Sequence, residues 1–458
     1  MRGGTAGWWR GRRLPGRVPG ARRPAGPGRR AASAGALVAL LCACLVLPAP
    51  AAAEAADSGY DFADGARQVE GADDEGGAER LVPGTTYRSS LPAGSRVHYR
   101  LELDAAVSTY VSATAVPPPG STVADVDGIR VAVEDTEDGS CSLASADFGS
   151  ARSPHPIAAW GMREISPGAS RCQEAGTYDV SVERVGPADA SPATWDLELT
   201  VASEPRPAKA GSTSAPGGWD SASPEPVEGR AARLPGGAGF ATASAVGQGV
   251  WRADIAPGGT LFYKVPVDWG QQVSATAELD GPDGNGIGNG SYTLGALDLS
   301  LYNPVRGQVQ NTIVGYGGVP VTTGLAPLPP VGYANRHAPT EQVSAVRFAG
   351  SYYLVVHLAR QVAKSFGEGP YALTLRVRVR GGAQAGPGYA GESEPQGLFE
   401  VTEQDRAAAA EGAAVAPAAA DGGLPMTVLA AGGIGTGTLL LVVLGVWTAA
   451  ARRRADAP

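Results

Sequence analysis

Four histidines and four cysteines are the residues of this 458-residue chain with the widest chemical repertoire. His98, His155, His337 and His357 sit in no HExxH helix, beside no GxSxG elbow and in no metal-spaced Cys/His cluster, so neither a metalloprotease nor a serine-hydrolase centre is legible. His98 and His357 fall in strand-like stretches, where they cover a sheet face. His155 and His337 stand in loops near proline and read as solvated. The DGNG run at 283–286 opens like a calcium loop, with Asp283 and Asn285 offering oxygens to a hard cation. Ile287 stands where a third oxygen is wanted, so no metal centre or other cofactor is expected, and calcium at Asp283 and Asn285 is the one weak candidate. Cys42 and Cys44 lie in an apolar leader. Cys141 and Cys172 remain and, in an oxidising compartment, are expected to join as a disulfide. The other candidates are for binding rather than catalysis. Trp160 and Met162 lie between a strand ending near Asp135 and one beginning at Thr177; Tyr316, Tyr333 and Arg336 lie between one ending near Tyr302 and one beginning at Ser351. Connections of roughly 40 to 50 residues are far longer than usual and tend to be functional or disordered. Exposed aromatics and arginine are where binding energy concentrates.

The elements that must position these residues come from a duplication. YRSSLPAGSRVHYRLELD at 87–104 returns as WRADIAPGGTLFYKVPVD at 251–268, with Arg88 matching Arg252, Gly94 Gly258, Tyr99 Tyr263 and Asp104 Asp268. VSATA at 111–115 recurs at 273–277, AGTYDVSV at 175 becomes AGSYYLVV at 349, and TWDLELTV at 194 is answered by PYALTLRV at 370. Loops absorb insertions between copies, whereas strand register cannot slip without turning core residues outward. In 97–103, Val97, Tyr99, Leu101 and Leu103 alternate with polar residues, the period of a half-buried strand. Further strands are expected at 107–116, 129–135, 177–185 and 195–202, and again at 250–255, 261–267, 273–279, 297–302, 351–358 and 371–379. Gly, Pro and Ser clusters separate them and no amphipathic helix intervenes. The expected fold is all-β, with two antiparallel jelly-roll-like sandwiches in tandem at 85–202 and 239–381.

The flanks are of another kind. Residues 1–53, with nine arginines, no acid and the apolar run AASAGALVALLCACLVL, read as a secretory signal. Residues 54–84 are acidic and poor in apolar side chains, and read as disordered. A Pro/Ser/Gly linker at 203–238 separates the domains, and a Gly/Ala-rich stalk occupies 382–424. Residues 425–451 are uncharged and long enough to span a bilayer; the arginine-rich tail at 452–458 stays cytoplasmic, which puts the domains outside. Without the nine leader arginines the formal charge of −8 falls to about −17, a field that repels nucleic acid.

The succession of a PAG or PGG turn, the strand LFYKVPVD, then ALDLSLY, AGSYYLVV and PYALTLRV resembles bacterial pre-peptidase C-terminal domains, secreted jelly-roll-like sandwiches. The resemblance covers both domains and is clearer in the second. Asp298 matches the acidic residue that recurs in one strand of that family, whereas Arg130 stands there in the first domain. It implies non-catalytic modules that accompany secreted enzymes and serve secretion, solubility or attachment. The expectation is a non-enzymatic, single-pass cell-membrane protein whose outer domains meet an extracellular or envelope protein or a glycan. The alternatives are an accessory module for a separately encoded hydrolase, or a carbohydrate binder using Trp160, Trp195, Trp219, Trp251 and Trp269.

Overall fold

A strand with one face in water needs an apolar side chain at every second position, whereas a strand covered on both faces needs nearly all of its positions dry. Both kinds occur here, and their distribution gives the architecture. The structure is a computed structural model that describes residues 59–135, 139–187, 191–209, 211, 213–225, 227–281 and 291–412. The expected signal 1–53, the expected spanning segment 425–451 with its tail, and the calcium candidates Asp283 and Asn285 lie outside the described residues. Among the described residues no helix is long and apolar enough to cross a membrane.

Among the described residues ten strands build the first domain: β1 (Arg67–Gln68), β2 (Glu79–Leu81), β3 (Thr86–Leu91), β4 (Arg96–Leu103), β5 (Val107–Val116), β6 (Gly128–Asp135), β7 (Gly139–Asp147), β8 (Ile157–Arg163), β9 (Gly176–Val185) and β10 (Trp195–Pro205). Ten more build the second: β11 (Ala232–Arg233), β12 (Ser244–Ala245), β13 (Gly249–Ile255), β14 (Thr260–Val267), β15 (Gln272–Leu279), β16 (Thr293–Tyr302), β17 (Gln308–Tyr316), β18 (Val321–Gly324), β19 (Gly350–Leu358) and β20 (Tyr371–Arg380). The sheet orders are β1-β3-β10-β5-β8 with β2-β4-β9-β6-β7, then β11-β13-β20-β15-β18 with β12-β14-β19-β16-β17. Every strand of the first domain therefore has its counterpart ten strands later. Without the leading short strand of each sheet, the order is that of a jelly roll, eight antiparallel strands in two sheets.

Inside the first sandwich Val97, Tyr99 and Leu101 of β4 meet Val111, Ala113 and Ala115 of β5 and Leu197, Leu199 and Val201 of β10. Inside the second, Tyr263 and Val265 meet Leu297, Leu299, Leu354 and Val356. β4 and β15 alternate between buried and wetter positions, but β5 and β16 are buried almost throughout. The reason is that the outer face of the β5/β8/β10 sheet lies against the outer face of the β14/β16/β19 sheet. Val116 and Ala158 of the first domain share one cluster with Phe262, Tyr302 and Val355 of the second. The four sheets thus form one stack with two inner and two outer members.

Several expectations change as a result. Residues 59–84 are not a disordered lead-in: β1 and β2 pair in parallel with β3 and β4 along the sheet edges. The segment has few apolar residues because it lies on the edges, where hydrogen bonds to an existing strand do the work. The two long connections are not loops; they form β7 and β8, and β17 and β18. Nor do the linker and stalk keep two separate bodies apart. Residues 388–394 run back along 203–208, with Ala208 N–H donating to Gly388 O at 2.7 Å and Ser203 N–H to Glu394 O at 2.7 Å. Phe399 is buried against Phe348, ring centroids 4.8 Å apart. Beyond it the helix Glu403–Glu411, closed by a Thr402/Asp405 capping box, is tied to the second domain by Arg406 donating to Asp268 at 2.8 Å.

Candidate functional site

Polar side chains at outward strand positions face water unless another surface covers them, and then each must find a partner. The seam between the inner sheets is where this happens. At one end, Glu204 from β10 accepts from Arg336 Nη2, Tyr110 Oη and Tyr389 Oη, each at 2.7 Å. Arg336 also donates to Glu164 at 3.1 Å, and Arg347 reaches the other Glu164 oxygen at 2.9 Å. The guanidinium of Arg336 lies 3.5 Å over the Tyr333 ring. Burial, followed by the charges of Glu204 and Glu164, raises the Tyr110 phenol well above its ordinary range; Tyr333 is pushed up to about 12, chiefly by burial. These groups join the first domain, the second domain and the returning 388–394 segment.

In the middle, the fully buried Glu198 accepts from Tyr60 Oη at 3.2 Å, from Ala63 N–H at 2.8 Å and from Arg306. Arg306 sits over the Phe240 ring.

At the far end, His155 and His357 stack with ring centroids 4.2 Å apart. His357 Nδ1 faces Gly259 O at 2.9 Å, and because a carbonyl only accepts, Nδ1 carries the proton; Nε2 then accepts from Ser153 Oγ at 2.9 Å. A serine beside an imidazole is the spacing of a nucleophile and its base. Here Ser153 is fully buried and Nδ1 meets a carbonyl instead of a carboxylate, so the pair holds the seam. The expectation that His155 is solvated is corrected by this packing; His357 does cover a sheet face, with the other domain laid over it.

The seam histidines bind protons poorly when folded. His155 is lowered to about 4 by burial, and His357 falls well below the ordinary value through burial and its neighbour. Unfolding lets both rise toward 6.5, so their contribution is present above that pH and is lost as pH falls toward 4, up to about 3 kcal/mol for His155. Asp298, the ladder partner of His357, works in the opposite sense: burial raises it to about 6, so its folded form takes up a proton first and gains stability as pH falls below 6. In the wild type the Asp298 gain offsets only part of the loss from the two histidines. Asp298→Asn is therefore expected to lose about 3 kcal/mol more than wild type between pH 6.5 and 4 in urea unfolding; parallel pH profiles for the two proteins would contradict the assignment. Asp298 accepts from Ser300 at 2.8 Å and is buried inside the seam.

The residues expected to form exposed binding loops are mostly here, but inside. Trp160 is 9% exposed, stacked on Tyr110 with Arg347 above it, and Met162 packs at the edge of the same cluster. Arg336 is enclosed by its carboxylates, its side chain 3% exposed, and Tyr333 is half-buried beside it. Tyr316 is elsewhere, in the second core, donating to Asp280 O at 3.0 Å and packed edge-on against Phe366 and Tyr371. Cys141 and Cys172 do form a disulfide, which joins β7 to the turn before β9. Of the five tryptophans considered for sugar stacking, Trp160, Trp195, Trp251 and Trp269 are buried and Trp219 is half-buried. Glu164, Glu198, Glu204, Arg306 and Arg347 escaped sequence reasoning. Their one signal was the lack of charge at the other outward positions of β5, Ser112, Thr114 and Val116.

Beside the Arg336 network lies a cleft of about 550 Å³, walled by Pro167 of the first domain, Pro207 and Ala208, the turn carrying Tyr333 and His337, and Ala390. Four chain segments converge on it, as in binding clefts between domains.

No known protein family matches the sequence, and comparison with curated proteins finds no relative. Among solved structures the chain is similar to the CUB1-EGF-CUB2 domain of human MASP-1/3, at 9% identity over 64% of this chain and 99% of that one, with a TM-score of 0.15. It is similar to the CBM22-1-CBM22-2 tandem domain of Paenibacillus barcinonensis Xyn10C at 9% identity, over 65% and 92% of the two chains, TM-score 0.17. It is also similar to the ANXUR2 extracellular domain from Arabidopsis thaliana at 8% identity, over 67% and 86%, TM-score 0.18. Likeness at this level transfers no function, and the assignment of tandem β-sandwiches stands on the strand order itself.

Proposed function

We propose that this is a non-enzymatic protein, anchored at the cell surface by a single C-terminal span, whose two jelly rolls act as one rigid body that binds an extracellular or envelope partner at the cleft beside Tyr333 and His337. The observation that supports this reading most is the seam. Three buried polar networks and a shared apolar cluster fix the walls of the cleft relative to one another, and a preorganised surface loses little entropy on binding. The resemblance to pre-peptidase C-terminal domains supports an accessory role, and a separately encoded secreted hydrolase is one such partner. A sugar-binding role resting on the tryptophans has less support, because four of the five ring systems considered are turned inward.

The test uses the full chain on intact cells. A photo-crosslinking side chain placed at Ala208 or Ala390, in the cleft, is expected to yield an adduct of one defined mass. The same group at Leu143, 59% exposed on an outer sheet, is expected to yield none. Adducts from Leu143 alone, or protection of the domains from protease added outside, would defeat the proposal.

A further inference from the structure

The segment that composition alone marks as a disordered lead-in carries the inference furthest. Its backbone docks on the edge of β4, Ala72 N–H donating to His98 O at 3.1 Å and His98 N–H to Ala72 O at 2.8 Å. The approach is close: a Cβ on Gly71 would come within 2.5 Å of Val97 Cβ. The chain then makes a single 3-10 turn, Glu75–Gly77, held by Asp74, whose carboxylate accepts from Gly77 N–H at 3.0 Å. That turn sets Glu75 over the outward face of the β4/β9 ladder.

Two metal-ligating side chains already face each other there. His98 Nδ1 lies 3.0 and 3.1 Å from the two oxygens of Asp179, and Asp179 is 4% exposed. Ligand atoms of Glu75, His98 and Asp179 all lie within 4.8 Å of one another. Donors around a tetrahedral ion at about 2.0–2.1 Å stand roughly 3.3 Å apart, so a small swing of the exposed Glu75 side chain closes the set. The charge balance favours a cation. Burial is the main effect raising the Asp179 carboxyl, His98 opposes it, and Glu75 and Glu134 add to it. Arg100, opposite Asp179 in the ladder, makes no ion pair with it among the described residues.

We propose that Glu75, His98 and Asp179 bind one divalent ion of the zinc class, through imidazole Nδ1 and two carboxylate oxygens, with solvent completing the shell. An imidazole ligand selects borderline transition ions over calcium, which takes six to eight oxygens. As a ligand His98 offers Nδ1 with its ring proton on Nε2, and the ion replaces the hydrogen bond to Asp179. Bound there, it clamps the lead-in segment onto the first sandwich. The site lies on an outer sheet, away from the seam cleft, so its failure would leave the proposed binding role untouched.

The test is calorimetric titration of the full chain, stripped with chelator, with zinc chloride and separately with calcium chloride. One equivalent of zinc is expected, with a rise in melting temperature and no competing calcium uptake. Glu75→Gln should weaken the zinc affinity more than tenfold, and it should melt like the parent without metal because the side chain is exposed. His98→Gln should abolish uptake, and Glu102→Gln, on the same strand, should change nothing. Absence of zinc uptake, uptake unaffected by Glu75→Gln, or calcium binding as tight as zinc would each overturn the proposal. Because Glu75→Gln leaves the fold intact, that variant alone decides between these outcomes even if His98→Gln unfolds.

Discussion

Replacing Glu204 by alanine is expected to lower the stability of the whole two-domain body by about 3–5 kcal/mol, the cost of breaking a buried ion pair from one side. Glu204 is 1% exposed and accepts from Arg336, Tyr110 and Tyr389 at once. Its removal leaves the Arg336 charge with Glu164 as its remaining carboxylate and strips two phenols of their acceptor. Tyr110 and the Arg336 side chain are almost wholly enclosed, so water replaces the lost carboxylate poorly. The loss should appear as a lowered urea midpoint with a single transition, because the partners come from both sandwiches and from the returning C-terminal segment. Glu204→Gln, which keeps an acceptor oxygen but not the charge, should cost less. A loss under about 1 kcal/mol for the alanine variant would mean that these groups are hydrated and the seam open in solution.

Cys141→Ser is expected to be the second largest loss, about 3–4 kcal/mol in the chain-entropy model for a separation of 31 residues. The closed loop contains Trp160, Met162 and Glu164, which meet the second domain. Loosening it should weaken the positioning of Glu164 against Arg336 and Arg347 as well as the first core. The oxidised parent and the serine variant should therefore each unfold in one transition, shifted between them. Two resolved transitions, with only the first moved, would show that the sandwiches melt independently.

The disulfide is legible in the sequence but the seam is not, and the reason lies in particular strands. The duplication and the period-two runs are enough to place eleven strands and both sandwiches, because β4, β14 and β15 each write their inward face as alternate apolar residues. The same rule assigns Glu198, Glu204 and His357 to water, since they stand at outward positions. It has no term for a second sheet laid over that face. The candidate residues fail for a related reason. Trp160, Tyr333 and Arg336 read as exposed because their connections read as loops, while β7, β8, β17 and β18 carry too little apolar alternation to stand out. One further signal is usable. Arg67 pairs with Tyr87, and Ala232 with Trp251, an offset of 165 upstream of the recognised one of 164. Extending the duplication by twenty residues places β1 and β2.

Those short parallel strands also bear on where this protein can be divided. Each repeat begins not at its first long strand but at the residues that lie along both of its sheet edges, β1 and β2 in one and β11 and β12 in the other. An unpaired strand edge is a row of free N–H and C=O groups that templates further strands. A fragment cut at residue 85, where composition alone would cut it, would bare β3 and β4 together and become a seed for edge-to-edge association.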